Sequence, residues 1–232
     1  MRHTRIPWLI PGGLLGAGAL ACGTGQPGAA HAAHAANATG AASAAALPAG
    51  YHIRTDDPKK SAADIRVSAQ PTGRLEVNAG THDQNLGHIL YRDADTATGS
   101  YTVRTDIDQL GGPEHPEAVG LFIGGRDLAG AGETYGYFIV RGDGQYSIKR
   151  RRGDSAATVV PFTASRAVPK ADSARHATYR LAVRVGPDSV RFLVGDTPVA
   201  AVARTAIPTE GTAGFRINHG LHVIVTPLAF QR

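Results

Sequence analysis

The chain has 232 residues, a formal charge of +5, 42% hydrophobic residues and 19% charged residues. So mild a basic excess gives no footprint for nucleic acid. One cysteine alone excludes an internal disulfide framework, so any core must hold by burial.

The N-terminus reads as an export signal, residues 1–21. Arg2, His3 and Arg5 form a basic start, and Trp8 to Ala21 is apolar but broken by Pro11, Gly12 and Gly13. The stretch is too short and too interrupted for a permanent membrane helix. Ala19-Leu20-Ala21 is a small-x-small cleavage pattern, followed directly by the lone Cys22. This arrangement resembles the lipobox of bacterial lipoproteins and implies lipidation at Cys22. Ordinary cleavage, at Ala21 or after Ala32, is the alternative. Either way the mature chain is expected outside the cytoplasm, in the periplasm or at the cell envelope, and on a membrane only through a lipid anchor.

Residues 22–48 read as a flexible linker. Twelve of the 26 residues from Gly23 to Pro48 are alanine, with no charged or aromatic side chain apart from any protonated histidine. Nothing gives a helix there an apolar face to bury. His31 and His34 are expected to be solvated tether residues rather than metal ligands.

Residues 49–232 are long enough for one domain with a real core. Tyr101, Val103, Thr105 and Ile107 alternate with Thr102, Arg104 and Asp106. Tyr179, Leu181, Val183 and Val185 alternate with arginines and Ala182; Val190, Phe192 and Val194 alternate with Arg191 and Leu193. Period two marks half-buried antiparallel strands. Asp143-Gly144, Gly186-Pro187-Asp188, Gly195-Asp196 and Asn218-His219-Gly220 supply turn chemistry between them. About a dozen strands are expected from Asp64 onward, with one short helical turn over residues 170–176. Short, unequal strands favour an all-β two-sheet antiparallel sandwich over a barrel. Ala118 to Gly124 and Tyr135 to Val140 are apolar on both faces. They are expected as central strands, with the core on one side and a groove on the other.

Three segments carry a resemblance: Gly120-Leu-Phe-Ile-Gly-Gly-Arg-Asp127, Tyr137-Phe-Ile-Val-Arg-Gly-Asp-Gly144 and Ile148-Lys-Arg-Arg151. They resemble bacterial secreted jelly rolls of the concanavalin A-like (laminin G-like) kind, near the 3-keto-disaccharide hydrolase domains. Val190 to Val199 is similar to the V-x-F-x-V-N-G-x-x-V strand pair of such domains, with Gly195-Asp196 in place of Asn-Gly. Gly211 to Asn218 is similar to their G-x-x-G-L-R-x strand. The resemblance spans roughly Ser68 to Phe230 and implies a jelly-roll fold. It leaves function open, because this fold hosts binding modules, glycosidases and inert domains alike.

Glycosidases need paired carboxylates. None of the five glutamates, Glu76, Glu114, Glu117, Glu133 and Glu210, has the Glu-x-Asp-x-x-Glu spacing of laminarinase-type jelly rolls. Glu114, His115 and Glu117 form the best acid/base cluster, on a proline-stiffened loop expected to be solvated. His219 and His222 flank a turn across which they can converge, but no metal site is expected. Asp93 and Asp95 have the chemistry to hold calcium, the one ion left open; their expected role is to cap a turn. Sugar sites pair aromatic faces with planar or cationic donors. Arg126, Tyr135, Tyr137, Tyr146, Arg150, Asn218 and His222 are the candidate ligand-binding residues. With Asp143-Gly144 as a two-residue turn, Tyr135, Tyr137 and Ile139 share a face with Tyr146, Ile148 and Arg150. The expected role is non-catalytic binding of a glycan or other extracellular ligand by a monomer. A glycoside-active enzyme and a structural envelope protein are the alternatives.

Overall fold

The computed structural model describes residues 47–232, apart from 58, 60 and 81–86. The expected signal peptide, Cys22 and residues 22–46 of the linker lie outside the described residues. Fifteen strands are described: β1 Tyr51–Thr55, β2 Arg66–Ala69, β3 Leu75–Asn78, β4 His88–Ala97, β5 Tyr101–Gly111, β6 Ala118–Arg126, β7 Thr134–Arg141 and β8 Gln145–Arg152, followed by β9 Ser155–Ala164, β10 Ala177–Val185, β11 Ser189–Val194, β12 Thr197–Ala203, β13 Gly211–Ile217, β14 His222–Val225 and β15 Ala229–Gln231.

They form two antiparallel sheets. The front sheet has the order β1-β4-β13-β6-β7-β8-β9, and the back sheet β12-β11-β10-β5-β14-β3-β2, with β15 also on β5. This is the all-β sandwich expected from the alternation. The helical turn expected over residues 170–176 is absent; the segment is extended with one tight turn at residues 173–174. There Asp172 accepts backbone N–H bonds from Ala174 and His176, an aspartate turn that competes with helix.

The core lies between the sheets. Val103, Leu181, Val183, Phe192 and Val223 of the back sheet meet Leu90, Leu121, Phe138, Ile148 and Phe215 of the front sheet. Phe138 and Phe192, both fully buried, pack as a tilted pair with centroids 5.3 Å apart. Three tyrosines also enter this core with their hydroxyls satisfied. Tyr101 donates to Thr209 O at 2.7 Å, Tyr146 to Val199 O at 2.7 Å, and Tyr179 to Gln109 Oε1 at 3.3 Å.

The β7–β8 hairpin corrects the sequence reading. Arg141 pairs with Gln145, so the loop is three residues long, not two. Gly144 sits in it at φ +86°, and its N–H bonds Arg141 O at 3.0 Å. Three-residue hairpins end on such a left-handed residue, which glycine adopts without strain. One added loop residue shifts the register by one and turns β8 over. Tyr135 therefore lies opposite Arg151, Tyr137 opposite Lys149 and Ile139 opposite Ser147. Tyr146, Ile148 and Arg150 share the other face with Phe138.

Two outcomes test this core. Phe138→Ala should cost about 3–5 kcal/mol in denaturant melts, the range for emptying a buried phenylalanine site. Burial also pushes the Tyr179 hydroxyl from 10 up to about 12. The fold favours the protonated phenol, so stability is intact below pH 10 and falls as pH rises towards about 12. The tyrosinate absorbance of Tyr179 should then appear together with loss of the β circular-dichroism signal. Ionisation near pH 10 with the fold intact would contradict the burial.

Candidate functional site

The front sheet carries a second buried cluster on its outer face, away from the back sheet: Ile89, Tyr91, Ala118, Phe122, Leu128, Tyr135, Tyr137 and Ile139, with Phe162 beside them. Strand register builds it. Tyr91, Gly214, Phe122, Tyr137 and Lys149 run across β4, β13, β6, β7 and β8 as one row. Ile89, Arg216, Gly120, Ile139 and Ser147 form the next row. The rings touch in series: Tyr91–Phe122 at 6.3 Å, Phe122–Tyr135 at 5.1 Å and Tyr135–Tyr137 at 5.5 Å between centroids.

Charges lie against these rings. Arg216 grips Asp56 with both terminal nitrogens, Nη1 at 2.7 Å from Oδ1. Arg151 Nη1 donates to the same Oδ1 at 3.1 Å, and its Nε to Glu133 Oε1 at 2.6 Å. Arg54 Nη2 lies 3.8 Å from that Glu133 oxygen. Three guanidinium groups thus face two carboxylates. The Arg151, Arg216 and Glu133 side chains are 7%, 8% and 1% exposed, whereas Asp56 is 33% exposed. Burial disfavours the Arg216 charge, but the Asp56 carboxylate and its hydrogen bonds outweigh it, raising the pKa above the ordinary guanidinium value. The Arg216 guanidinium lies 5.7 Å from the Tyr137 ring centroid.

Local sequence explains the placement. Asp56 follows β1, and its N–H bonds Gly87 O at 2.8 Å. A Cβ on Gly87 would stand 2.6 Å from Asp56 Oδ2 and 2.7 Å from Arg216 Nη2. Only glycine leaves the ion pair its seat. Glu133 precedes β7, held where Gly153 N–H bonds its carbonyl at 2.7 Å.

The cluster is not self-satisfied. Among the described residues, Glu133 Oε2, Arg54 Nε and Arg216 Nε are buried without a hydrogen-bond partner. Among the described residues, every hydrogen bond made by a tyrosine hydroxyl belongs to Tyr101, Tyr146 or Tyr179, the core tyrosines. Tyr91, Tyr135 and Tyr137 of the outer face make none among the described residues. Burial raises the hydroxyl pKa values of Tyr135 and Tyr137, so both stand as neutral donors and acceptors.

The sequence-predicted residues scatter. Tyr135 and Tyr137 are in this cluster. Tyr146 is in the inter-sheet core, turned there by the hairpin register. Arg126 and Arg150 line a cleft of about 800 Å³ with Arg152, Thr205 and Glu210, and Arg151 of the outer-face cluster borders it too. His222 bonds Glu76 Oε1 at 2.7 Å in the back sheet, whereas His219 lies 3.3 Å from Glu117 Oε1. The two histidines diverge, because His222 starts β14 and His219 stays in the turn after β13. Asn218 donates to Glu117 Oε2 at 2.8 Å, and His115 Nε2 lies 3.0 Å from Glu117 Oε1; Glu114 is exposed. Asp95 accepts both hydrogen bonds of Arg92, and Asp93 pairs with His52. Sequence reasoning missed Asp56, Glu133 and Arg216, and its two-residue turn set Arg150 on the tyrosine face where the structure has Arg151. Arg216 alone left a signal, as a charge between two core residues, Phe215 and Ile217.

No known family matches the sequence, and no curated protein matches it. Solved structures do match in fold. The carbohydrate binding module CBM66 from Bacillus subtilis is 11% identical with a TM-score of 0.55, covering 79% of this chain and 96% of that one. A Bacillus subtilis protein of unknown function with a galectin-like fold is 13% identical at a TM-score of 0.52, covering 78% and 88%. The VIP36 exoplasmic/lumenal domain in its Ca2+/Man2-bound form is 8% identical at 0.51, covering 78% and 80%. At these identities the likeness is one of fold: the chain is a two-sheet antiparallel jelly roll with galectin-like and concanavalin-like neighbours.

Proposed function

We propose that this chain is an exported, non-catalytic carbohydrate-binding domain of the cell envelope, with the outer face of the front sheet as its sugar site. The observation that carries this is the contrast among its tyrosines. The core tyrosines have hydroxyl partners; among the described residues Tyr135 and Tyr137 have none, and they lie near Glu133 Oε2, Arg54 Nε and Arg216 Nε, atoms without a hydrogen bond in groups otherwise paired. A sugar offers hydroxyls to these polar atoms. That CBM66 is a carbohydrate binding module, and VIP36 was solved with Man2, on the same fold supports the reading.

The resemblance to 3-keto-disaccharide hydrolase domains raises a hydrolytic alternative, with Asp56 and Glu133 as the carboxylate pair. Each already accepts hydrogen bonds from a guanidinium, which supports binding rather than proton transfer. Export and anchoring rest on the N-terminal pattern, with Cys22 as the lipidated residue.

Screening the full chain on a glycan array, with and without calcium, tests the site. Saturable binding to one glycan class is expected, weakened about 2- to 12-fold by Tyr137→Phe, the worth of one hydrogen bond. Arg126→Ala, outside the tyrosine cluster, should leave it unchanged. Binding lost in Arg126→Ala but kept in Tyr137→Phe would move the site to the basic cleft, and no binding would reject the sugar reading. Turnover of the bound glycan would favour the hydrolase. Metabolic palmitate labelling in a bacterial host should mark the wild type and not Cys22→Ser; an unlabelled wild type would mean ordinary cleavage.

A further inference from the structure

A second cluster lies at the other end of β7. His115 and Glu117 are on the loop before β6, and His219 is in the turn after β13. One ligand atom from each lies within 4.8 Å of the other two. Glu117 Oε1 is 3.0 Å from His115 Nε2 and 3.3 Å from His219 Nε2. A tetrahedral Zn2+ with bonds of about 2.0–2.1 Å spaces its ligands about 3.3–3.4 Å apart. The two measured separations are close to an edge of that tetrahedron.

Strand pairing frames the cluster. β13 pairs with β6 through Ile217 and Val119, and Asn218 N–H bonds Ala118 O at 3.0 Å. The strand ladder therefore fixes Glu117 beside His219. Asn218 Nδ2 holds the other Glu117 oxygen at 2.8 Å, which leaves Oε1 turned to the imidazoles. Such outer hydrogen bonds orient metal-binding carboxylates. The His219 and Glu117 side chains are 11% and 13% exposed, while His115 is 43% exposed on the solvent side. His115 and Glu117 also border a cavity of about 220 Å³, shared with Asp143 and Arg175.

We propose that His115, Glu117 and His219 bind a divalent transition-metal ion of the Zn2+ class, with a fourth coordination position open to this cavity. Two imidazoles and one carboxylate suit such an ion. They do not suit Ca2+, which takes six to eight oxygens. The bound ion joins the 112–117 loop to the turn after β13.

The test titrates the EDTA-treated full chain with Zn2+, Co2+ and Ca2+, reading stoichiometry by calorimetry and Co2+ geometry by visible absorption. One Zn2+ per chain, a tetrahedral Co2+ spectrum and no comparable Ca2+ binding are expected. Glu117→Gln and His219→Ala should each lower Zn2+ affinity by about 100-fold or more, and Asn218→Ala by about 10-fold. The double variant His31→Ala/His34→Ala should bind as the wild type does. If His219→Ala misfolds in a thermal melt, the exposed His115→Ala replaces it. Unchanged Zn2+ affinity in Glu117→Gln, loss of the ion in the His31/His34 variant, or no binding would overturn the site and leave the cluster as histidine–carboxylate ion pairs.

Discussion

Strands β6 and β7 bury side chains on both faces, so the front sheet needs two coverings. The back sheet supplies one. The other is a polar strap: Asp56, carried in after β1, pins Arg216 and Arg151 over the tyrosines. Everything on the outer face follows from this demand. Gly87 is glycine because the ion pair occupies the space a side chain would take. Arg216 can stand between two core residues because a carboxylate waits for it on the far side.

Such a strap is a poor device for stability. Removing charges from water costs more than most ion pairs return, and well-packed apolar residues cover a sheet as effectively. The strap nonetheless keeps buried polar atoms of Glu133, Arg54 and Arg216 without a hydrogen-bond partner among the described residues. Three guanidinium groups meet two carboxylates beside the ring faces, and the ammonium group of Lys149 lies 5.6 Å from the Phe162 ring.

The fold was legible because its signals are local. Alternation in β5, β10 and β11, and glycine or aspartate at the turns, report strand and hairpin without knowledge of partners. The site was legible only in part. Tyr135 and Tyr137 stood out as aromatic residues on an apolar strand. Asp56 and Glu133 did not, because both lie just outside strands, where an acidic residue looks like ordinary turn chemistry. Arg151 was hidden in a run of three arginines whose faces depend on register. The meeting of His115 with His219 was hidden as well, since it depends on β6 lying beside β13. Long-range pairing is the information that a single sequence does not display.

The Gly142–Gly144 loop sets more than a turn. In a hairpin, loop length acts as a switch between two complementary surfaces written on one strand. β8 carries Ser147, Lys149 and Arg151 on one side and Tyr146, Ile148 and Arg150 on the other. Insertion or deletion of a single loop residue would exchange these sets, placing apolar residues where the arginine belongs and basic residues in the core. The length of that loop is thus constrained along with the left-handed glycine that closes it.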